Sequence, residues 1–248
     1  MKLPLAVVPA IFLFLAFASR AEISLAQTPV CVLNPQSFAS LQKSGQESPD
    51  SIREELNTRK TLLRAVLDCL DKEVRDQRTE LDRTPLSDQS MHAVRNNLML
   101  ALEDAARYYA EQRERVSDAG LHAAKDIAAS IREWRTNTFL PQQARIGTFI
   151  SWTHNTEFLT IASRRLEEFK RSVQLLALVE RSDIQSLFTE AGEGFRVAQD
   201  FQDRAQNALI NGLDPATPTK LSLEALSRTY NSFIELSNLI NALLPQGR

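Results

Sequence analysis

Glycine and proline are scarce where a β-rich chain would need them. Between Pro85 and Pro215 the only proline is Pro141, and the glycines before the Asn211-Gly212 pair are Gly120, Gly147, Gly192 and Gly194. Strands need frequent turn signals and alternating β-branched residues, so a sandwich or barrel is excluded. Cysteine is limited to Cys31 and Cys69, which rules out a CxxC redox pair and a four-ligand zinc set. The three histidines are His92, His122 and His154. None follows a glutamate by three residues and none forms His-Glu-x-x-His, so the signatures of di-iron bundles and zinc proteases are missing. Phosphate-binding glycine patterns are missing too. The "GEGF" at 192–195 lacks a strand before it and a Lys-Ser/Thr after it, and reads as a kink or hinge in a helix. No strand-to-helix elbow presents a serine. No catalytic, cofactor-binding or metal residue is therefore assigned, and no cofactor is expected. Formal net charge is −2, with bases interleaved among acids. That pattern gives no strong chain-wide field for nucleic acid or acidic lipid.

What is present begins with an apolar run. Lys2 precedes Leu3–Phe17, and small residues follow at the spacing a signal peptidase uses, with cleavage after Ala18, Ala21 or Ala26. Residues 1–26 are read as a signal peptide, which predicts a periplasmic or secreted protein. The run is shorter than the roughly 20 residues that comfortably span a bilayer. Left uncleaved, it is the alternative of an N-terminal membrane anchor. No membrane span is expected after cleavage. In an oxidising compartment the pair Cys31 and Cys69 is most simply a disulfide. Cys69 would lie about 28 Å along a helix starting near Asp50, within reach of an extended intervening chain. Segment 27–48 is thus expected to fold back on the first helix. In the chain-entropy model the loop closure is worth roughly 3–4 kcal/mol.

Residues 27–248 are read as one all-α domain, an elongated antiparallel helical bundle or coiled coil of about five helices. The first helix follows the start signal Ser48-Pro49, or Ser51-x-x-Glu54. It carries Ile52, Leu56, Leu63, Leu67, Leu70, Val74 and Leu81 at the helical period. After the break "DRTPLSD", with Thr84 as cap, the second helix is expected to run to Trp134, about 50 residues or roughly 75 Å. "TNTFLP" at 136–141 is read as the next turn, and the third helix as Gln142 to Arg181. The fourth is expected from Asp183, after the capping box Ser182-x-x-Gln185, to Asn211-Gly212, with a continuous third and fourth helix as the alternative. "LDPATPT" reads as a loop. Ser222 reads as the N-cap of the fifth helix, whose seam is Leu223, Leu226, Tyr230, Phe233, Ser237, Ile240 and Leu244. Acid-before-base pairs at i, i+4, such as Glu55–Arg59, Asp71–Arg75 and Glu167–Arg171, mark solvated helix faces.

Counting residues through these turns leaves 126–152 as a helical hairpin with fewer covering helices. It contains Trp134, Phe139, Phe149, Trp152 and His154, a candidate contact patch because aromatics anchor interfaces. The competing reading is a local core that seals the hairpin. Together these features describe an exported, non-enzymatic bundle acting through protein–protein contacts: an envelope scaffold, adaptor or secreted interaction factor. The partner is unidentified, and self-association into a homo-oligomer is compatible with the seams. The alternative is an extracytoplasmic ligand-binding or sensor bundle holding a small apolar molecule near Trp134 and Trp152.

Overall fold

The computed structural model describes residues 48–86 and 88–243, which are helical with no strand among them. The helices are α1 Pro49–Arg83, α2 Gln89–Asp118, α3 Leu121–Trp134, α4 Leu140–Leu175, α5 Ser182–Ile210 and α6 Ala216–Leu243. A π-helical segment, Arg135–Phe139, joins α3 to α4 without interruption, giving one rod of 55 residues. With that rod counted once, the described residues form five helices. The signal-peptide segment, Cys31 and the fold-back of 27–48 lie outside the described residues, apart from Ser48 itself.

Caps explain most starts. Ser48 accepts from the Ser51 amide at 3.2 Å, and Ser51 returns the bond to the Ser48 amide at 3.1 Å. Pro49 takes the first helical position, where its missing N–H costs nothing. Asp88, not Thr84, caps α2, accepting from the Ser90 amide at 2.8 Å. Asp214 accepts from the Ala216 amide at 2.9 Å, and Pro215 follows it into the first turn. The last helix therefore starts at Ala216, seven residues before the Leu223 that a Ser222 cap implies, and Ser222 is an interior residue rather than an N-cap.

Helices α1, α2 and α3 pack as one three-helix layer, and α4, α5 and α6 as a second. The α1–α2 pair is antiparallel, with its register marked by Arg78 to Glu103 at 3.0 Å and by Arg113 to Asp68. Lys60 Nζ reaches the Ser117 carbonyl at 2.9 Å, pairing one of the carbonyls that a helix C-terminus leaves open. The chain then reverses at Ala119–Gly120, and α3 runs back along α2: the Tyr108 hydroxyl donates to the Ser130 carbonyl at 3.1 Å.

The expected second helix of about 50 residues is therefore divided at Ala119–Gly120, and the expected turn at 136–141 is not a turn. Pro141 has no N–H and its ring crowds the carbonyl four residues back. The helix answers by widening: the Leu140 amide bonds to the Arg135 carbonyl five residues earlier. The 126–152 hairpin is replaced by a straight-through connection. Helices α4 and α5 are separate, with α5 starting at Ser182 after the N-cap Arg181; no side chain caps it, so the Ser182-x-x-Gln185 capping box is not formed.

The closest packing lies between α5 and α6. Ala191, Ala198 and Ala205 on α5 are fully buried, as are Ser222, Ala225 and Thr229 on α6. These small side chains let the two backbones approach. The seam read from the sequence faces elsewhere: Phe233 stacks on Phe169 of α4 at 5.4 Å between ring centroids, and the Tyr230 hydroxyl donates to the Phe158 carbonyl at 3.3 Å. The "GEGF" glycines differ in role. A Cβ on Gly194 would stand 2.7 Å from Thr229 Oγ1, whereas one on Gly192 would meet nothing within 4 Å. Neither breaks the helix. Gly192→Ala should therefore raise stability by about 0.5–1 kcal/mol, the helix-propensity gain. Gly194→Ala should lower it by about 1–2 kcal/mol through overpacking, and Thr229→Ala should recover part of that loss. Urea titration of the four variants checks the signs.

Candidate functional site

The π segment is the natural place to look, because widened helix turns concentrate at functional sites. Arg135, its first residue, points to α1. Its two terminal nitrogens donate to the Glu73 carboxylate at 2.8 and 3.1 Å, a bidentate pair. Gln143 Nε2, from the first turns of α4, donates to the same carboxylate at 2.7 Å. The Glu73 side chain is only 4% exposed and that of Arg135 24%. One carboxylate thus ties α1 to both sides of the π segment. Burial works to lower the Arg135 pKa, but the hydrogen bonds and charge of Glu73 outweigh it and raise the value.

Aromatic rings surround this pair. Trp134 stacks on Tyr108 at 4.1 Å and meets the edge of Tyr109 at 5.4 Å. Phe139 packs on Tyr109 and Trp134, and Arg135 lies over the Phe139 ring at 5.4 Å. The Tyr109 hydroxyl is buried beside the Arg135 guanidinium. Burial pushes its pKa up to about 12, against a smaller lowering by Arg135.

A second polar cluster ties together the three helices of the other layer. Asn155 Nδ2 donates to Gln202 Oε1 and to Ser222 Oγ, each at 2.7 Å. Ser222 passes its own proton to the Ala198 carbonyl at 2.6 Å. Gln202 Nε2 donates to the Trp152 carbonyl at 2.8 Å and to Thr156 Oγ1 at 2.6 Å. The Trp152 indole returns a bond to the Gln202 carbonyl at 3.2 Å. Such a layer favours one alignment of three helices, since a slip would strand several buried polar groups.

The five residues of the sequence-derived patch do not share a surface. Trp134 is half-buried and Phe139 buried in the Tyr108–Tyr109 cluster, while Phe149 and Trp152 are buried together in the second layer at 6.3 Å. His154 alone is well exposed, with Nδ1 at 3.9 Å from Glu157. It borders an open groove of about 390 Å³ between the layers, lined also by Asp76, Thr79, Glu80, Arg83, Thr84 and Pro85. The hydroxyls in this groove are occupied by helix carbonyls: Thr79 donates to Arg75 and Thr84 to Glu80, both at 2.9 Å. Among the described residues, no three His, Cys, Asp or Glu side chains are grouped to hold a metal ion. Cys69 is half-buried on α1 next to Leu70.

The chain matches no protein-family model, no curated protein and no solved structure.

The sequence reading missed Glu73, Arg135 and Gln143. The only available signals were an acid on the apolar face of α1 and a polar run before Pro141. Glu73→Ala should cost roughly 2–4 kcal/mol, somewhat below a fully buried pair because Arg135 keeps some solvent; chemical denaturation measures it. The Tyr109 proton adds an alkaline signature. Its folded pKa lies above the ordinary 10, so the folded chain holds the proton longer than the unfolded one. Stability is complete below pH 10 and falls as pH climbs from 10 toward 12. Tyr109→Phe should flatten that fall, measured as melting temperature against pH.

Proposed function

We propose that the chain is an exported, non-enzymatic helical-bundle protein that acts through protein–protein contacts, as an envelope scaffold, adaptor or secreted interaction factor. The observation that carries this reading is the rod Leu121–Leu175, which is a full member of both helical layers. A helix shared in this way couples two surfaces rigidly and suits a spacer or adaptor. In the same reading the bundle is elongated and coiled-coil-like, and it works outside the cytoplasm. There Cys31 bridges to Cys69 and staples segment 27–48 to α1. The candidate contact surfaces are two places along the rod: the exposed side of the π segment with the Trp134 edge, and the groove bordered by His154.

Photo-crosslinking from positions 136 and 154 in intact cells tests this. The expected result is an envelope-fraction protein, shortened after Ala18, Ala21 or Ala26, with a discrete protein adduct from at least one position. A full-length protein that stays in the cytosol, or no adduct from either position, contradicts it.

One observation favours a second reading, a bundle that binds a small molecule. The buried Tyr109 hydroxyl lies among rings, beside Arg135 and half-buried Trp134. A ligand there would quench Trp134, and tryptophan emission that stays constant across a panel of apolar compounds removes that reading.

A further inference from the structure

The turn between α4 and α5 runs Leu175-Leu176-Ala177-Leu178-Val179, five consecutive apolar residues. They form the tip of the second helical layer. Leu175 is 85% exposed, Leu176 40% and Val179 47%. Three aliphatic side chains held outward in one short turn are costly to leave in water.

The first part of the turn is closed by backbone hydrogen bonds. The Leu178 amide donates to the Val173 carbonyl at 3.0 Å and the Ala177 amide to Gln174 at 3.2 Å, the paired bonds of a Schellman ending. The Leu176 and Arg181 amides donate to Ser172 and Leu178, and the Gln185 side chain covers the Val179 carbonyl. Ala177 takes φ +53° to allow this, a conformation that favours glycine. A non-glycine residue here keeps the tip apolar at a cost in backbone strain.

The charges behind the tip are unevenly engaged. Glu168 pairs with Arg165 at 3.2 Å and Asp183 with Arg181 at 2.6 Å. Lys170 and Arg171 face solvent one turn before Leu175, with the expected Glu167–Arg171 pair not formed. Glu180 is the exposed acid on the other side.

We propose that this tip docks on a phospholipid bilayer surface, with Leu175, Leu176 and Val179 entering the acyl boundary and Lys170 and Arg171 at headgroup level. Three features select lipid over a protein groove or a second copy. The apolar area is at most roughly 300 Å², well short of the about 800 Å² per partner that a stable protein interface buries. A bilayer needs no shape complementarity, and a convex tip offers little. The paired Leu176, Ala177 and Leu178 amides reduce the penalty that an open loop suffers near hydrocarbon. The inference is independent of the partner reading and needs no membrane-spanning helix; among the described residues none is long and apolar enough to span.

Hydrogen exchange of the full chain, with and without phosphatidylcholine–phosphatidylglycerol vesicles, tests it at the tip itself. Vesicles should slow exchange in residues 171–181 by about fivefold or more. Leu175→Asp with Val179→Asp should abolish that slowing while circular dichroism stays unchanged, and the milder Leu175→Ser should reduce it. Ala177→Gly, which relieves the backbone and keeps the apolar side chains, should retain it. The proposal is overturned if vesicles leave 171–181 unaffected, including when only the N-terminal residues respond, or if the aspartate variant is slowed as much as the parent. It is equally overturned if the slowing appears without vesicles as protein concentration rises, since a second copy would then be the occupant.

Discussion

The architecture turns on one buried carboxylate. Glu73 sits in the C-terminal third of α1 and holds Arg135 and Gln143 together from opposite ends of the π segment. Burying an acid without partners would cost several kcal/mol. Three hydrogen bonds offset that cost only if the helix passes Pro141 in the right orientation. Desolvation and coordination therefore push the same way: the segment stays helical, widens by one residue per turn, and delivers α4 to the second layer. A turn at 136–141 would separate Arg135 from Gln143 and leave Glu73 short of donors.

The two layers solve their packing differently. The first uses large side chains on α1 and α2, such as Leu67, Leu81, Met91 and Leu102, closed by the Tyr108–Tyr109–Trp134–Phe139 rings. The second brings α5 and α6 together through alanine, glycine, serine and threonine and gains specificity from the Asn155–Gln202–Ser222 layer. Hydrophobic area alone would leave such a small-residue interface poorly defined. The hydrogen-bond layer supplies direction where the apolar contacts supply little.

The helical class was legible because period and cap chemistry agree with the final fold. Ser48-Pro49, the Asp82–Asp88 break, the Ser182 start and the Asn211-Gly212 stop all read correctly to within a few residues. Three features were not legible, each for a physical reason. Pro141 announces a break, but a helix can widen around a proline when a tertiary partner stabilises it, and Glu73 is 62 residues from Arg135. The buried face of α6 includes Thr219, Ser222, Thr229 and Ser232, residue types that on sequence alone belong outside. The Ala177 ending carries no glycine, so its left-handed residue gives no local signal. The aromatic patch illustrates the same limit: nearness in sequence placed Trp134 and Trp152 together, whereas the through-running helix assigns them to different layers.

The central claim is that Leu121–Leu175 is one rod shared by two bundles. Spin labels on noncanonical side chains at the exposed positions 125 and 154 test it directly by pulsed dipolar spectroscopy. A continuous helix separates them by about 40 Å at 1.5 Å per residue. A chain that turned at 136–141 would bring them within about 15 Å, the spacing of adjacent antiparallel helices with their side chains. A distribution centred near 40 Å is the result this account predicts, and a short distance would contradict it.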